Sequence, residues 1–229
     1  MEKHDSAIAS GRRGFISSLA IGTATLGLSS FRTDSNEHSL FSDPASDAEA
    51  WLNKIKGKYK MVFDVPHPNG IFPFAWPRVF LVTNQSTGAK ENECSAVVVL
   101  RHTAIPYAFD NTVWEKYNFG EVFDIRDENK NALVKNPFWQ PAPGTYKIGG
   151  IGEVAIGIDE LQKSGVLYGV CSMAAAVFSN AVATKMNKPA EEVLKDWIAH
   201  LLPGIQPVPS GIWALGRTQD KGCSYVYAG

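Results

Sequence analysis

Two kinds of apolar pattern alternate along the chain from about residue 46 to its end. Short β-branched runs suit strands, and stretches with apolar residues three or four apart suit helices. Residues 60–65 (KMVFDV), 95–100 (SAVVVL), 166–170, 205–208 and 224–227 read as five strands. The second of them is apolar from Ala96 on, with three consecutive β-branched valines, as expected of a strand covered on both faces. Helical spacing falls on 47–56, 73–83 (despite Pro77), 105–117, 158–164, 173–186, 190–201 and 211–221. Residues 118–152 lack either period and are rich in Pro, Gly and aromatic residues. Phe119, Phe123, Phe138, Trp139 and Tyr146 must bury, so this segment reads as an excursion of the domain and not as a linker.

Strands that alternate with helices predict an α/β domain of three layers, with a mainly parallel five-stranded sheet between helices. In such a sheet a ligand site lies outside the carboxyl ends of the strands. Four of the strands place polar residues there: Asp64 and His67, Arg101 and His102, Cys171, and Ser210. Cys171 stands between a strand and a helix start, where amides and the helix dipole favour a thiolate. The same position also suits a small buried hydrophobe. Ser172 beside it fits a helix N-cap. His67 and His102 fit acid–base groups, metal ligands or hydrogen-bonded loop residues alike. Gly150-x-Gly152-x-x-Ala155 imitates a dinucleotide fingerprint, but no strand leads into it.

Charge excludes one class of partner. With 22 basic and 23 acidic residues the net charge is -1, so no basic surface for nucleic acid is indicated. The three cysteines, Cys94, Cys171 and Cys223, lie far apart and show no zinc-type or CxxC spacing, and no metal or cofactor is assigned. Cys223 precedes the last strand and reads as structural. Ahead of the domain, residues 11–16 (GRRGFI) match the twin-arginine export pattern, and 15–28 are only moderately apolar. Residues 1–45 therefore read as a signal and polar linker, followed by a domain over 46–229. The twin-arginine (Tat) machinery is then a partner, and the expected location is the periplasm, with a membrane tether if the signal is uncleaved.

Three segments together resemble a known family. Residues 165–171 (GVLYGVC) resemble the DsrE-like strand that ends on a cysteine before a helix. Residues 207–211 (PVPSG), 219–222 (QDKG) and 224–227 (SYVY) resemble that family's closing strand, turn, helix and aromatic strand. Residues 97–102 (VVVLRH) are similar to its apolar strand running into a histidine. The resemblance covers about 60–229 and implies a flavodoxin-like α/β/α domain of the DsrE/DsrF type that assembles as a homo-oligomer. It implies a persulfide carrier acting through Cys171; His67, Arg101, His102 and Ser210, which the strand ends supply, are the candidate binding residues beside it. Sulfur donor and acceptor proteins, or a small sulfur compound, would be its partners. The chain departs from the family in its export segment, its excursion and its lack of a second cysteine after Cys171. A module of the same fold that binds a small ligand or metal without turnover is the alternative.

Overall fold

A computed structural model describes residues 44–229. The twin-arginine segment expected at 11–16 lies outside the described residues. No helix among the described residues is long and apolar enough to cross a membrane.

The central sheet has five parallel strands: β1 (Tyr59–Val65), β2 (Cys94–Leu100), β5 (Leu167–Cys171), β6 (Ile205–Val208) and β7 (Ser224–Tyr227). Their order across the sheet is β6-β5-β2-β1-β7. The other two strands, β3 (Lys147–Ile148) and β4 (Gly152–Glu153), form a separate antiparallel hairpin. All five expected strands of the main sheet are present. The innermost, β2, is buried from Ser95 to Leu100, which is why its sequence is apolar from Ala96 on. The edge strand β7 is mostly exposed, and the opposite edge, β6, contains Pro207, a residue that edge strands tolerate.

One face of the sheet is covered by α1 (Pro44–Leu52) and α8 (Gly211–Asp220). Ala48, Trp51, Leu52 and Ile55 meet Val62, Val97, Val99 and Val208, and α8 adds Ala214 and Leu215. The other face carries α2 (Phe72–Ser86), α5 (Ile158–Lys163), α6 (Ser172–Met186) and α7 (Ala190–Ala199). There Phe63 meets Phe80 edge-on, and Phe74 packs near Tyr168. The result is the expected three-layer α/β/α architecture. Right-handed crossovers account for the layers. The chain steps from β1 through β2 and β5 to β6 with its helices on one face. It then reverses past β5, β2 and β1 to β7, so α8 falls on the other face.

The interval between β2 and β5 departs most from expectation. The helix expected at 105–117 is a 3₁₀ stretch, His102–Ala108, followed by α3 (Asn111–Lys116). Pro106 sits inside the 3₁₀ stretch and, having no backbone N–H, cannot extend a regular α-helix there. The excursion contains a one-turn helix, α4 (Phe119–Val122), and the β3–β4 hairpin. Phe119, Phe123 and Phe138 are buried as predicted, whereas Trp139 and Tyr146 are only half-buried. Phe119 packs at 4.7 Å from Trp197 and Phe138 at 4.2 Å from Phe74. Both anchors lie on the α2/α7 face, so the segment walls that layer. Gly150 and Gly152 belong to the antiparallel hairpin and not to a turn between a strand of the parallel sheet and a helix, so the dinucleotide reading fails.

Asp196 pins α7 to α3. It accepts hydrogen bonds from Lys116 Nζ at 2.8 Å and Tyr117 Oη at 2.7 Å. Burial alone would raise its carboxyl, but these bonds and the Lys116 and His200 charges outweigh it and hold the carboxyl below the usual range. A lowered folded value stabilises above the unfolded value of about 3.9 and is lost as pH falls through the folded value. Asp196→Asn is therefore expected to cost about 1 kcal/mol at neutral pH. It should also flatten the acid limb of a thermal melting series; equal slopes below about pH 4 in both proteins would refute this role.

Candidate functional site

The reversal of the chain after β6 creates a crevice. The helix after β5, α6, lies on one face, and the helix after β6, α8, lies on the other. In a parallel sheet such a switch point opens at the carboxyl ends of the two strands. Cys171 ends β5 and pairs with Val208 of β6, so it stands at this point.

Cys171 is the N-cap of α6. Its Sγ accepts the Ala174 amide at 3.3 Å. An amide donor holds a sulfur anion more strongly than a neutral thiol. The residue is 7% exposed, so only a small reactant reaches the sulfur without rearrangement. Ser172, the first residue of the helix, is buried and its hydroxyl is unpartnered, so the cap is the cysteine and not the serine.

Arg101 is the next residue in register after the Leu100–Val170 pair, which places it beside Cys171 on the adjoining strand. The register thus sets a cationic side chain one strand away from the Cys171 sulfur. Alternation from Val97 and Val99 turns Arg101 to the α8 face. A Cβ added at Gly211, the first residue of α8, would lie 2.6 Å from Arg101 Cβ, so only glycine admits this approach.

Asp64 fixes the guanidinium. Arg101 Nε donates to Asp64 Oδ1 at 2.6 Å and Nη2 donates to Oδ2 at 2.9 Å. Tyr225 Oη donates to the same Oδ2 at 2.7 Å. Loss of solvent around the phenol and the adjacent Asp64 carboxylate push Tyr225 up to about 12. Tyr225 can meet Asp64 only because β7 crosses to the far side of β1, with Tyr225 opposite Val62.

The other expected residues are placed as follows. Ser210 caps α8, its Oγ accepting the Trp213 amide at 3.1 Å, and so lies at the crevice in a structural bond. His67 lies farther along the same edge, with its Nε2 2.8 Å from Tyr227 Oη. His102 has a left-handed backbone, φ 49°, and its ring meets Phe178 of α6 edge-on at 5.6 Å. Among the described residues, no three His, Cys, Asp or Glu side chains gather as a metal site.

Cys171, Arg101, Asp64 and Ser210 thus converge, and Tyr225 joins them. The sequence signal for Tyr225 is only its place in an aromatic last strand. A cavity of about 340 Å³ lies elsewhere, lined by Trp114 of α3 and by Glu121 and Leu133 of the excursion. It holds no nucleophile and is no part of this site. The other thiols are less favoured. Burial and Glu93 push Cys94 up, and burial pushes Cys223 up despite Lys60. No family model matches the chain, and no curated protein matches it.

Proposed function

We propose that this chain is an exported DsrE/DsrF-like protein that carries sulfur as a persulfide on Cys171. The observation that carries the reading is the placement of the Cys171 sulfur at the switch point, under the Ala174 amide and beside Arg101. The thiolate attacks a sulfane sulfur, the donor's bond to that sulfur breaks, and its pair leaves with the donor. Attack of an acceptor thiolate then moves the sulfur onward and returns the Cys171 thiolate. The three-layer fold and the cysteine at a strand-to-helix junction support the family assignment. The outward face of α2, with Phe72, Trp76, Val79 and Val82 exposed, supports a homo-oligomer. Intact mass after exposure to a sulfane donor tests the reading: a gain of about 32 Da, one sulfur atom, is expected. Its absence from the folded protein overturns it.

The deep placement of Cys171 favours one second reading, a module that binds a small ligand in the same crevice without turnover. In that case Cys171 packs as a hydrophobe and labels only after unfolding.

Export is proposed through Arg12 and Arg13. Replacing both with Lys is expected to leave the protein in the cytoplasm, because the ammonium lacks the planar fork of the guanidinium. Cell fractionation reads the result, and undiminished export of the double variant would sink the assignment.

A further inference from the structure

We infer that Arg101 makes the Cys171 site selective for small anionic reactants, so that the sulfur donor is an oxyanion bearing the reactive sulfur. This rests on the persulfide reading above and names its substrate class.

Three observations point to a positive opening. Asp64 takes Nε and Nη2 of Arg101 and leaves Nη1 outside the fork. The two members of the pair are not equally exposed: the Arg101 side chain is 24% exposed and that of Asp64 is 2%. An approaching molecule therefore meets the guanidinium, with the carboxylate behind it. Finally, α6 and α8 both point their amino ends at this crevice, and both add positive potential there. Tyr225 contributes a neutral hydroxyl that is already committed to Asp64. The 7% exposure of Cys171 adds a size limit that a small oxyanion meets.

For a donor of the thiosulfate class the step balances without a further reagent. The Cys171 thiolate attacks the outer sulfur, the sulfur–sulfur bond breaks, and sulfite leaves with the electron pair. Cys171 is left as a persulfide anion, and no proton is required. Arg101 would hold the oxygens of the departing sulfite.

The test compares two alkylating probes of similar size, anionic iodoacetate and neutral iodoacetamide, on Cys171 of the folded protein. Removing Arg101 alone would leave a buried carboxylate unpaired, so the charges are removed together in Asp64→Asn/Arg101→Gln. The iodoacetate-to-iodoacetamide rate ratio is expected to fall about threefold in that variant, less than one unopposed charge would give, because the Asp64 charge behind the guanidinium is removed with it. Arg101→Lys should keep the ratio within about twofold of the original, because the charge is kept. An unchanged ratio in the double variant, with both probes still reacting, overturns the inference and leaves the carrier reading standing. Failure of both probes on the folded original protein overturns the carrier reading itself. A second measurement needs no variant. Sulfate should slow iodoacetamide labelling of Cys171 saturably, beyond chloride at equal ionic strength, and equal effects of the two salts would also overturn the inference.

Discussion

Cys171→Ser is expected to abolish sulfur loading, while Cys94→Ser and Cys223→Ser leave it intact. Serine is close in size to cysteine, and its Oγ can take over the cap by accepting the Ala174 amide. The cost to stability should therefore stay below about 1 kcal/mol, and the melting temperature should move by only a few degrees. Loading falls to background because an alcohol at neutral pH is not a comparable nucleophile and forms no persulfide. The other thiols cannot substitute. Cys223 is 6% exposed, and burial raises it. Cys94 is more open, but burial and the Glu93 charge raise it too, so each is a poorer source of thiolate than an ordinary cysteine. Site-resolved alkylation at pH 7 should accordingly find Cys171 first. A mass gain that survives in Cys171→Ser, or earlier labelling at Cys94 or Cys223, would move the chemistry away from this residue.

The periodicity of the chain makes the strands legible, and the reason is burial. A strand covered on both faces must be apolar throughout, so residues 96–100 announce themselves. The helices are legible for the related reason that each presents one apolar face. The interval from 102 to 157 is less legible, because its aromatic anchors are spaced by tertiary contacts and not by a helix or strand period. Phe119 reaches Trp197, and Phe138 reaches Phe74, across long separations in sequence.

The site divides along the same line. Cys171, Arg101 and Asp64 end consecutive strands in the sheet order, and any parallel arrangement brings such residues to one edge. Tyr225 depends on where the last strand lands, which is a property of the crossover after β6 and not of any local pattern. His102 shows the opposite failure. Its place after an apolar strand suggests the crevice, but a left-handed turn at that residue swings the ring onto Phe178. Local pattern says which residues reach the edge, and the backbone at the strand end decides where each side chain goes.

Asp64→Ala is expected to be the most destabilising single change at this edge. The carboxylate is 2% exposed and holds three donors, two from Arg101 and one from Tyr225. Removing it leaves a guanidinium and a phenol without their shared acceptor, and breaking one side of a buried pair costs several kcal/mol. Arg101 keeps partial access to water, so the expected loss is about 3 kcal/mol, below what a fully enclosed pair would cost. In a domain of this size that lowers the melting temperature by roughly 8 °C. Tyr225→Phe removes a single hydrogen bond and should cost about 1 kcal/mol. Asp64→Asn should fall between them, since the amide oxygen can still accept one bond while the charge that fixes the fork is gone. The order Ala, then Asn, then the tyrosine variant is the discriminating outcome in chemical denaturation. An Asp64→Ala protein within about 0.5 kcal/mol of the original would mean that the pair does not hold the sheet edge. A freed Arg101 can also leave the neighbourhood of Cys171, so persulfide loading should slow in Asp64→Ala even at temperatures where it remains folded. Full loading rate in the folded variant would separate the cation from the chemistry of the thiol.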